Sequence, residues 1–188
     1  SEAMGRAEAD LMRTEITQPA VLAVDIALTR LLAAYGITPD FVMGHSLGEY
    51  GALVVAGVLS FHQALEAVSA RGREMSGLEL EDPGAMAAVF APLEEAEEVV
   101  SGLDGYAVLA NVNSTTQVVV GGATEAVRQA AERLESRGHQ VVLLPVSHAF
   151  HTEIVAPVSE PLRQMLRRLD ISPPGVPVCC DASVTPPT

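Results

Sequence analysis

The segment from Phe41 to Leu59 constrains this chain more than any other. An apolar run, Phe41-Val42-Met43, leads into Gly44-His45-Ser46-Leu47-Gly48, and a small and apolar stretch from Tyr50 to Leu59 follows. A serine between two glycines at such a junction is the pattern of a nucleophile elbow, in which a buried strand turns sharply into a helix and leaves the hydroxyl exposed at the turn. The glycines let the two backbones pass closely. Ser46 is therefore the candidate nucleophile. The same geometry sets the Leu47 N–H, at the start of the helix, beside the point where an oxyanion would form.

Around the elbow the pattern is α/β. Thr17-Gln18-Pro19 precedes a predicted helix from Ala20 to Tyr35, whose Val21, Val24, Leu28, Leu31 and Leu32 recur at helical spacing before Gly36. The elbow helix should run from Leu47 to Ala56, and Ser60-Phe61 should open another that passes Arg71 and Met75 and stops near Gly77. After the acidic stretch from Glu79 to Gly84 the rhythm changes. Strand signals at Ala85–Phe90, Tyr106–Asn111, Gln117–Gly121 and Gln140–Val146 alternate with helical ones at Leu93–Ser101 and Thr124–Arg137. The order β-α-β-β-α-β is that of a ferredoxin-like unit. We expect it to be inserted into an α/β-hydrolase-like core, because a helix (Glu153–Leu169) and a strand (Val176–Cys180) resume afterwards, before a tail from Ala182 to Thr188. The expected division is residues 1–84 with 148–188 for the catalytic part and 85–147 for the small one.

Composition narrows the function classes. With 48% hydrophobic and 19% charged residues the chain is built to bury a core, and no uninterrupted apolar run approaches the roughly 20 residues needed to span a bilayer. A net charge of −13, without Trp and with few Phe or Tyr, argues against nucleic acid as a partner. Ser1 to Leu11 is polar and acidic with no apolar signal core. The two cysteines, Cys179 and Cys180, are adjacent and poorly placed to bridge each other. Both features point to a reducing, cytoplasmic setting.

A serine hydroxyl is a poor nucleophile at neutral pH without a base, and histidine is the usual one. His62 and His139 sit in helix-start and turn contexts and read as solvent-exposed. His45 adjoins the nucleophile, but consecutive side chains diverge at an elbow. His148 and His151 share Ser147-His148-Ala149-Phe150-His151-Thr152, and one of them is the expected base. Arg71 is a second constraint. It stands among small and apolar residues, Ala67-Val68-Ser69-Ala70, and a guanidinium in such company calls for an anion, suggesting an acyl substrate with a second, free carboxylate. No His, Cys and carboxylate cluster has metal-ligand spacing, so no metal is expected.

Taken together, Gly44-His45-Ser46-Leu47-Gly48-Glu49-Tyr50, Arg71-Gly72-Arg73-Glu74-Met75, Asn111-Val112-Asn113-Ser114 and His148-Ala149-Phe150-His151 resemble the malonyl-CoA:acyl carrier protein transacylases and the acyltransferase domains of modular polyketide synthases. The likeness extends from Thr17-Gln18-Pro19-Ala20 to Val176-Pro177-Val178, with Arg71 and His151 lying 25 and 105 residues after the serine. It implies that Ser46 is the acylated nucleophile, His151 the base, Leu47 N–H an oxyanion donor and Arg71 the partner of the malonyl carboxylate. Phe150 is the form that accompanies malonyl rather than methylmalonyl in the family, and His45, His148, Gln18, Met75 and Asn113 fall on the substrate-binding side. The implied reaction is ping-pong, from malonyl-CoA to Ser46 and then to the phosphopantetheine thiol of an acyl carrier protein, with no bound cofactor. Implied partners are that carrier and the neighbouring domains of a multidomain synthase in polyketide or fatty acid synthesis.

The chain departs from the family in lacking the Gly-Gln-Gly-x-Gln-like segment that supplies a second oxyanion donor, and the later segment whose carbonyl orients the histidine. A fragment with impaired activity is the expectation. Two arginine groups, Arg163/Arg167/Arg168 and Arg128/Arg133/Arg137, are candidate docking patches for an acidic carrier or for CoA. A serine esterase of the α/β-hydrolase type is the rival reading. It needs an acid between serine and histidine, for which Asp82 and Asp104 are the aspartates available. A catalytically incomplete synthase fragment is the other.

Overall fold

The computed structural model describes residues 2–180. Its packing divides the chain into two units, one holding everything up to Gly77 together with the chain from Glu160 onward, the other spanning Leu78–Ser159.

In the first unit, α1 (Glu2–Leu11) precedes the long α2 (Thr14–Ala34), which starts six residues earlier than the sequence indicates. Pro19 lies inside α2 instead of ahead of it. The carbonyl that Pro19 cannot bond is that of Glu15, so α2 gives up one i→i−4 hydrogen bond there. Thr14, Gln18, Leu22 and Ile26 form the buried stripe at i, i+4 spacing. This corrects the sequence reading, for Val21, Val24, Leu28, Leu31 and Leu32 are 39–56% exposed. By length and composition α2 could cross a bilayer. Counting only uninterrupted apolar residues overlooked it, since Asp25, Thr29 and Arg30 break the run. A core helix passes the same test, and α2 packs along α4.

Helix α4 (Phe61–Ser76) opens with a capping box: Ser60 Oγ accepts from Gln63 N–H at 3.2 Å, and Gln63 Oε1 accepts from Ser60 N–H at 2.8 Å. Ala64, Ala67, Val68, Gly72 and Met75 line its buried face. Small residues let the two helices close up. A Cβ on Gly72 would lie 2.7 Å from Glu15 Cα. Leu22, Ile26, Leu59, Ala64 and Val68 form the core of this unit, with Leu47, Tyr50 and Leu53 packed against it. Strand β1 (Val42–Met43) pairs in parallel with β6 (Val178–Cys179), aligning Val42 with Val178. The returning chain is tied down by Ser172 N–H to Val58 O at 3.0 Å and Gly175 N–H to Ala56 O at 2.7 Å. Both cysteines are free and exposed.

The second unit is a four-stranded antiparallel sheet with spatial order β3-β4-β2-β5, from β2 (Ala85–Phe90), β3 (Ala107–Ser114), β4 (Gln117–Gly122) and β5 (Gln140–Leu143). Helices α5 (Leu93–Ser101) and α6 (Thr124–Ser136) join β2 to β3 and β4 to β5. Alternation along the strands gives each face its own partners. Ala87, Val89, Val118 and Val120 pack with Ala96, Val99, Val127, Ala130 and Leu134 of the helices. Met86 and Val119, one step out of phase, meet Ala149, with Phe150 and Ile154 alongside.

The segment from His148 to Val158 therefore packs with the sheet, whereas the sequence division grouped it with the first unit. Ala149 N–H donates to Pro83 O at 2.9 Å, and Glu153 N–H donates to the Tyr106 hydroxyl at 2.7 Å. The helix expected over Glu153–Leu169 is broken as well. A 3-10 turn, Glu153–Val158, holds Pro157, and α7 begins at Ser159 and ends at Leu166.

Candidate active site

The elbow sits where the sequence puts it. Gly44 follows β1, and helix α3 (Gly48–Val55) starts two residues after Ser46. The turn is closed by Gly48 N–H to His45 O at 2.9 Å, Glu49 N–H to Ser46 O at 3.1 Å and Tyr50 N–H to Leu47 O at 3.1 Å. Only one of the two glycines makes the close approach. A Cβ on Gly44 would lie 2.2 Å from the carbonyl carbon and oxygen of Gly48, whereas one on Gly48 meets nothing within 4 Å. Ser46 is half-buried at φ 52°, and Leu47 contributes one of the first-turn N–H groups that have no acceptor within a helix. His45 is exposed.

Among the described residues two non-glycine residues have positive φ: Ser46 and His151, the latter at 59°. A left-handed conformation costs a residue with a Cβ about 1–2 kcal/mol, and it persists where neighbouring contacts fix it. At His151 those contacts are plain. Thr152 Oγ1 donates to Ala149 O at 2.6 Å and accepts from Ile154 N–H at 3.3 Å, and Phe150 N–H donates to His148 O at 3.0 Å. His151 itself is exposed while Ala149 and Thr152 are buried. His148, the other candidate base, is buried, with Nδ1 3.0 Å from Ser147 Oγ and its ring 6.3 Å from that of Phe150. Asn113 is exposed at an irregularity near the end of β3, between Val112 and Ser114.

Arg71 occupies the inner part of α4, half-buried. Its Nη1 donates to Gln18 Oε1 at 2.8 Å, and no carboxylate pairs with it among the described residues. Burial pushes its pKa down, opposed by the nearby Tyr50. Burial likewise raises the Tyr50 phenol, a shift that the Arg71 charge opposes. Gln18 Nε2 in turn reaches Thr14 Oγ1 at 3.1 Å and Met75 Sδ at 3.5 Å. Gln18, Arg71 and Met75 are thus brought together. Tyr50 and Thr14, which sequence reasoning did not select, belong to the same cluster; Thr14 could have been found from its place one helical turn before Gln18.

A cleft of about 530 Å³ lies between α2, β1 and α3, lined by Leu28, Leu32, Ile37, Phe41 and Met43 among others. Neither Ser46 nor Arg71 lines it.

The acyl transferase domain family matches residues 1–187. This chain belongs to that family. Like other members it has a mixed α/β fold: the acyltransferase domain from the second module of the salinomycin polyketide synthase superposes with a TM-score of 0.83 at 40% identity, covering 90% of this chain and 40% of that one. The malonyl CoA-acyl carrier protein transacylase of Bacillus subtilis is 39% identical over 179 residues, 93% of this chain and 56% of the relative. The mycoketide-CoA synthase of Mycobacterium tuberculosis is 42% identical over 174 residues, 93% of this chain but 4% of that protein. The chain therefore spans little more than half of the shortest of these acyltransferase relatives.

Several other sequence expectations for this acyltransferase chain change in the structure. His139 is not a solvated turn residue; it is half-buried with Nε2 2.8 Å from Glu95 Oε2. Four of the six arginines in the two patches have protein partners, Arg128 lying 3.9 Å from Glu125. Arg137 pairs with Glu98 at 2.9 Å, Arg163 with Glu160, and Arg133 donates to Gly102 O at 2.8 Å. Asp82, a candidate acid for the esterase reading, accepts from Gly84 N–H at 2.9 Å, from Thr124 N–H at 2.9 Å and from the Thr124 hydroxyl at 2.5 Å. It serves as a long-range cap for α6, and these donors, led by the Thr124 hydroxyl, hold its carboxyl below the usual range. No group of metal-ligating side chains occurs among the described residues.

Proposed function

We propose that this chain forms part of an acyltransferase that moves a malonyl group from coenzyme A to the phosphopantetheine thiol of an acyl carrier protein, through an ester on Ser46. The observation that carries the reading is the left-handed Ser46 at the mouth of α3, in the turn pinned by Gly44. In this reading the larger unit is an α/β-hydrolase-like catalytic core and the smaller one a ferredoxin-like subdomain. The names of the relatives support the substrate class, and Arg71, a cation without a counter-ion among the described residues, supports a substrate with a free carboxylate.

The chemistry is balanced without a cofactor. His151 accepts the Ser46 proton as Oγ attacks the thioester carbonyl carbon, and the oxyanion is stabilised by Leu47 N–H. The C–S bond then breaks, and the coenzyme A sulfur leaves with the proton held by the imidazole. The carrier thiol reverses these steps: it gives its proton to His151, attacks the ester and releases Ser46, which recovers a proton. Phe150 fills volume near the acyl chain, and apolar discrimination of one methyl is worth about 1–3 kcal/mol, so malonyl is preferred over methylmalonyl without being exclusive. Carrier protein, neighbouring synthase domains and a cytoplasmic setting complete the proposal. The engagement of Asp82 as a helix cap weighs against a simple esterase.

The test is mass spectrometry of the polypeptide that contains this chain after exposure to malonyl-CoA. A malonyl adduct on Ser46, absent in Ser46→Ala, is expected. Arg71→Ala should lower malonyl loading about 10- to 150-fold, the range of a lost charge-assisted pair, with a smaller effect on acetyl loading. Absence of any adduct, or equal loss of both acyl groups, would refute the assignment.

A further inference from the structure

We infer that Gln18 is a positioning residue whose task is to hold Arg71 while leaving its charge uncompensated; the inference rests on the reading of Arg71 as the receptor for the substrate carboxylate. Gln18 is 4% exposed and bonded at both ends of its amide. Arg71 has only donors, and the Met75 thioether only accepts. The amide therefore has one orientation that satisfies both neighbours: oxygen toward Arg71 Nη1 at 2.8 Å, nitrogen toward Met75 Sδ at 3.5 Å and Thr14 Oγ1 at 3.1 Å. Thr14 lies one turn before Gln18 on α2, and Met75 lies one turn after Arg71 on α4. The close approach of the helices at Gly72 sets the spacing between them.

The choice of a neutral acceptor matters. A carboxylate here would hold the guanidinium equally well in space, but it would supply the counter-ion that the substrate is to bring. An amide oxygen fixes one of five N–H donors and adds no charge, so the other donors and the full positive charge stay available to an anion. Gln18 would thus set the preference for dicarboxylic acyl groups without touching them. Its role differs from that of the substrate-contacting residue expected from sequence.

The experiment compares Gln18→Glu and Gln18→Met in the polypeptide that contains this chain, using malonyl-CoA and acetyl-CoA and following Ser46 acylation. Gln18→Glu keeps the volume and introduces the internal counter-ion; Gln18→Met removes the acceptor. For Gln18→Glu the KM for malonyl-CoA should rise about 100-fold and the malonyl-to-acetyl ratio of kcat/KM should fall by a similar factor, with kcat changed far less. Gln18→Met should give the same split at about 10-fold, and it carries the test if the buried carboxylate prevents folding. If wild type loads malonyl and the folded variants keep its malonyl-to-acetyl ratio within about twofold, the inference is overturned and the proposed reaction stands. If wild type places no malonyl on Ser46, both fall.

Discussion

Replacing Gly44 with alanine is the most direct probe of the elbow. The new Cβ would stand 2.2 Å from the carbonyl carbon and oxygen of Gly48 and 2.3 Å from Glu49 N. Carbon contacts are comfortable at about 3.5–4.0 Å, so each of three backbone atoms would be too close by more than about 1 Å. Backbone atoms cannot rotate away as a side-chain end does. Relief requires β1 and the first turn of α3 to separate, breaking the bonds that Gly48, Glu49 and Tyr50 make across the turn. Overpacking typically costs about 1–3 kcal/mol, and we place Gly44→Ala at the upper end, lowering Tm by about 6–12 °C for a chain of this size. Ser46 acylation should be lost with it. Gly48→Ala is the control, because its Cβ meets nothing within 4 Å. In a helix that exchange is neutral or stabilising by up to about 1 kcal/mol. Thermal unfolding of both variants, with mass spectrometry of the Ser46 adduct, decides the matter. A Gly44→Ala protein that melts with wild type and acylates normally would refute the reasoning, as would equal damage from Gly48→Ala.

Ser46→Gly should raise stability by about 1 kcal/mol in denaturant titration while abolishing acylation, since glycine is at ease at φ 52°; Ser46→Ala should show no such gain. Gly72→Ala should destabilise by about 1–3 kcal/mol in the same assay, because its Cβ would press on Glu15 Cα and push α2 off α4. Glu15 gives a pH dependence. Its carboxyl accepts from the Ser76 hydroxyl, from its own backbone N–H and from Arg13, and its pKa is lowered from 4.5 to about 2. A depressed folded-state pKa means stability that is fully present above about 4.5 and lost as pH falls toward 2. Melting temperatures across that window should drop less steeply in Glu15→Gln than in wild type; parallel curves would exclude Glu15 as a contributor.

Much of the small unit was legible because its signals are local. The spans Ala85–Phe90 and Leu93–Ser101 coincide with prediction. The elbow was legible for the same reason, a strand, a turn and a helix written in consecutive residues. What failed was α2. Its apolar residues occupy two faces, and spacing alone favours the richer one, whereas the stripe that became buried, Thr14, Gln18, Leu22 and Ile26, is half polar. That choice was made by α4, more than thirty residues away, whose small residues accept a close neighbour. Gln18 and Arg71 are 53 residues apart, and their hydrogen bond has no local signature. Pro19 misled in another way, since proline is favoured in the first helical turn, whereas as the sixth residue of α2 it stands further in.

The outward side of α2, with Val24, Leu28 and Leu31 each more than half exposed, bears on how the purified polypeptide behaves at the bench. A well-ordered helix that shows such residues to water binds environment-sensitive fluorophores while still native, so dye-based melting curves of this chain should begin bright and change little at the transition. Circular dichroism, which is indifferent to that greasy stripe, is the sounder readout for every stability comparison above.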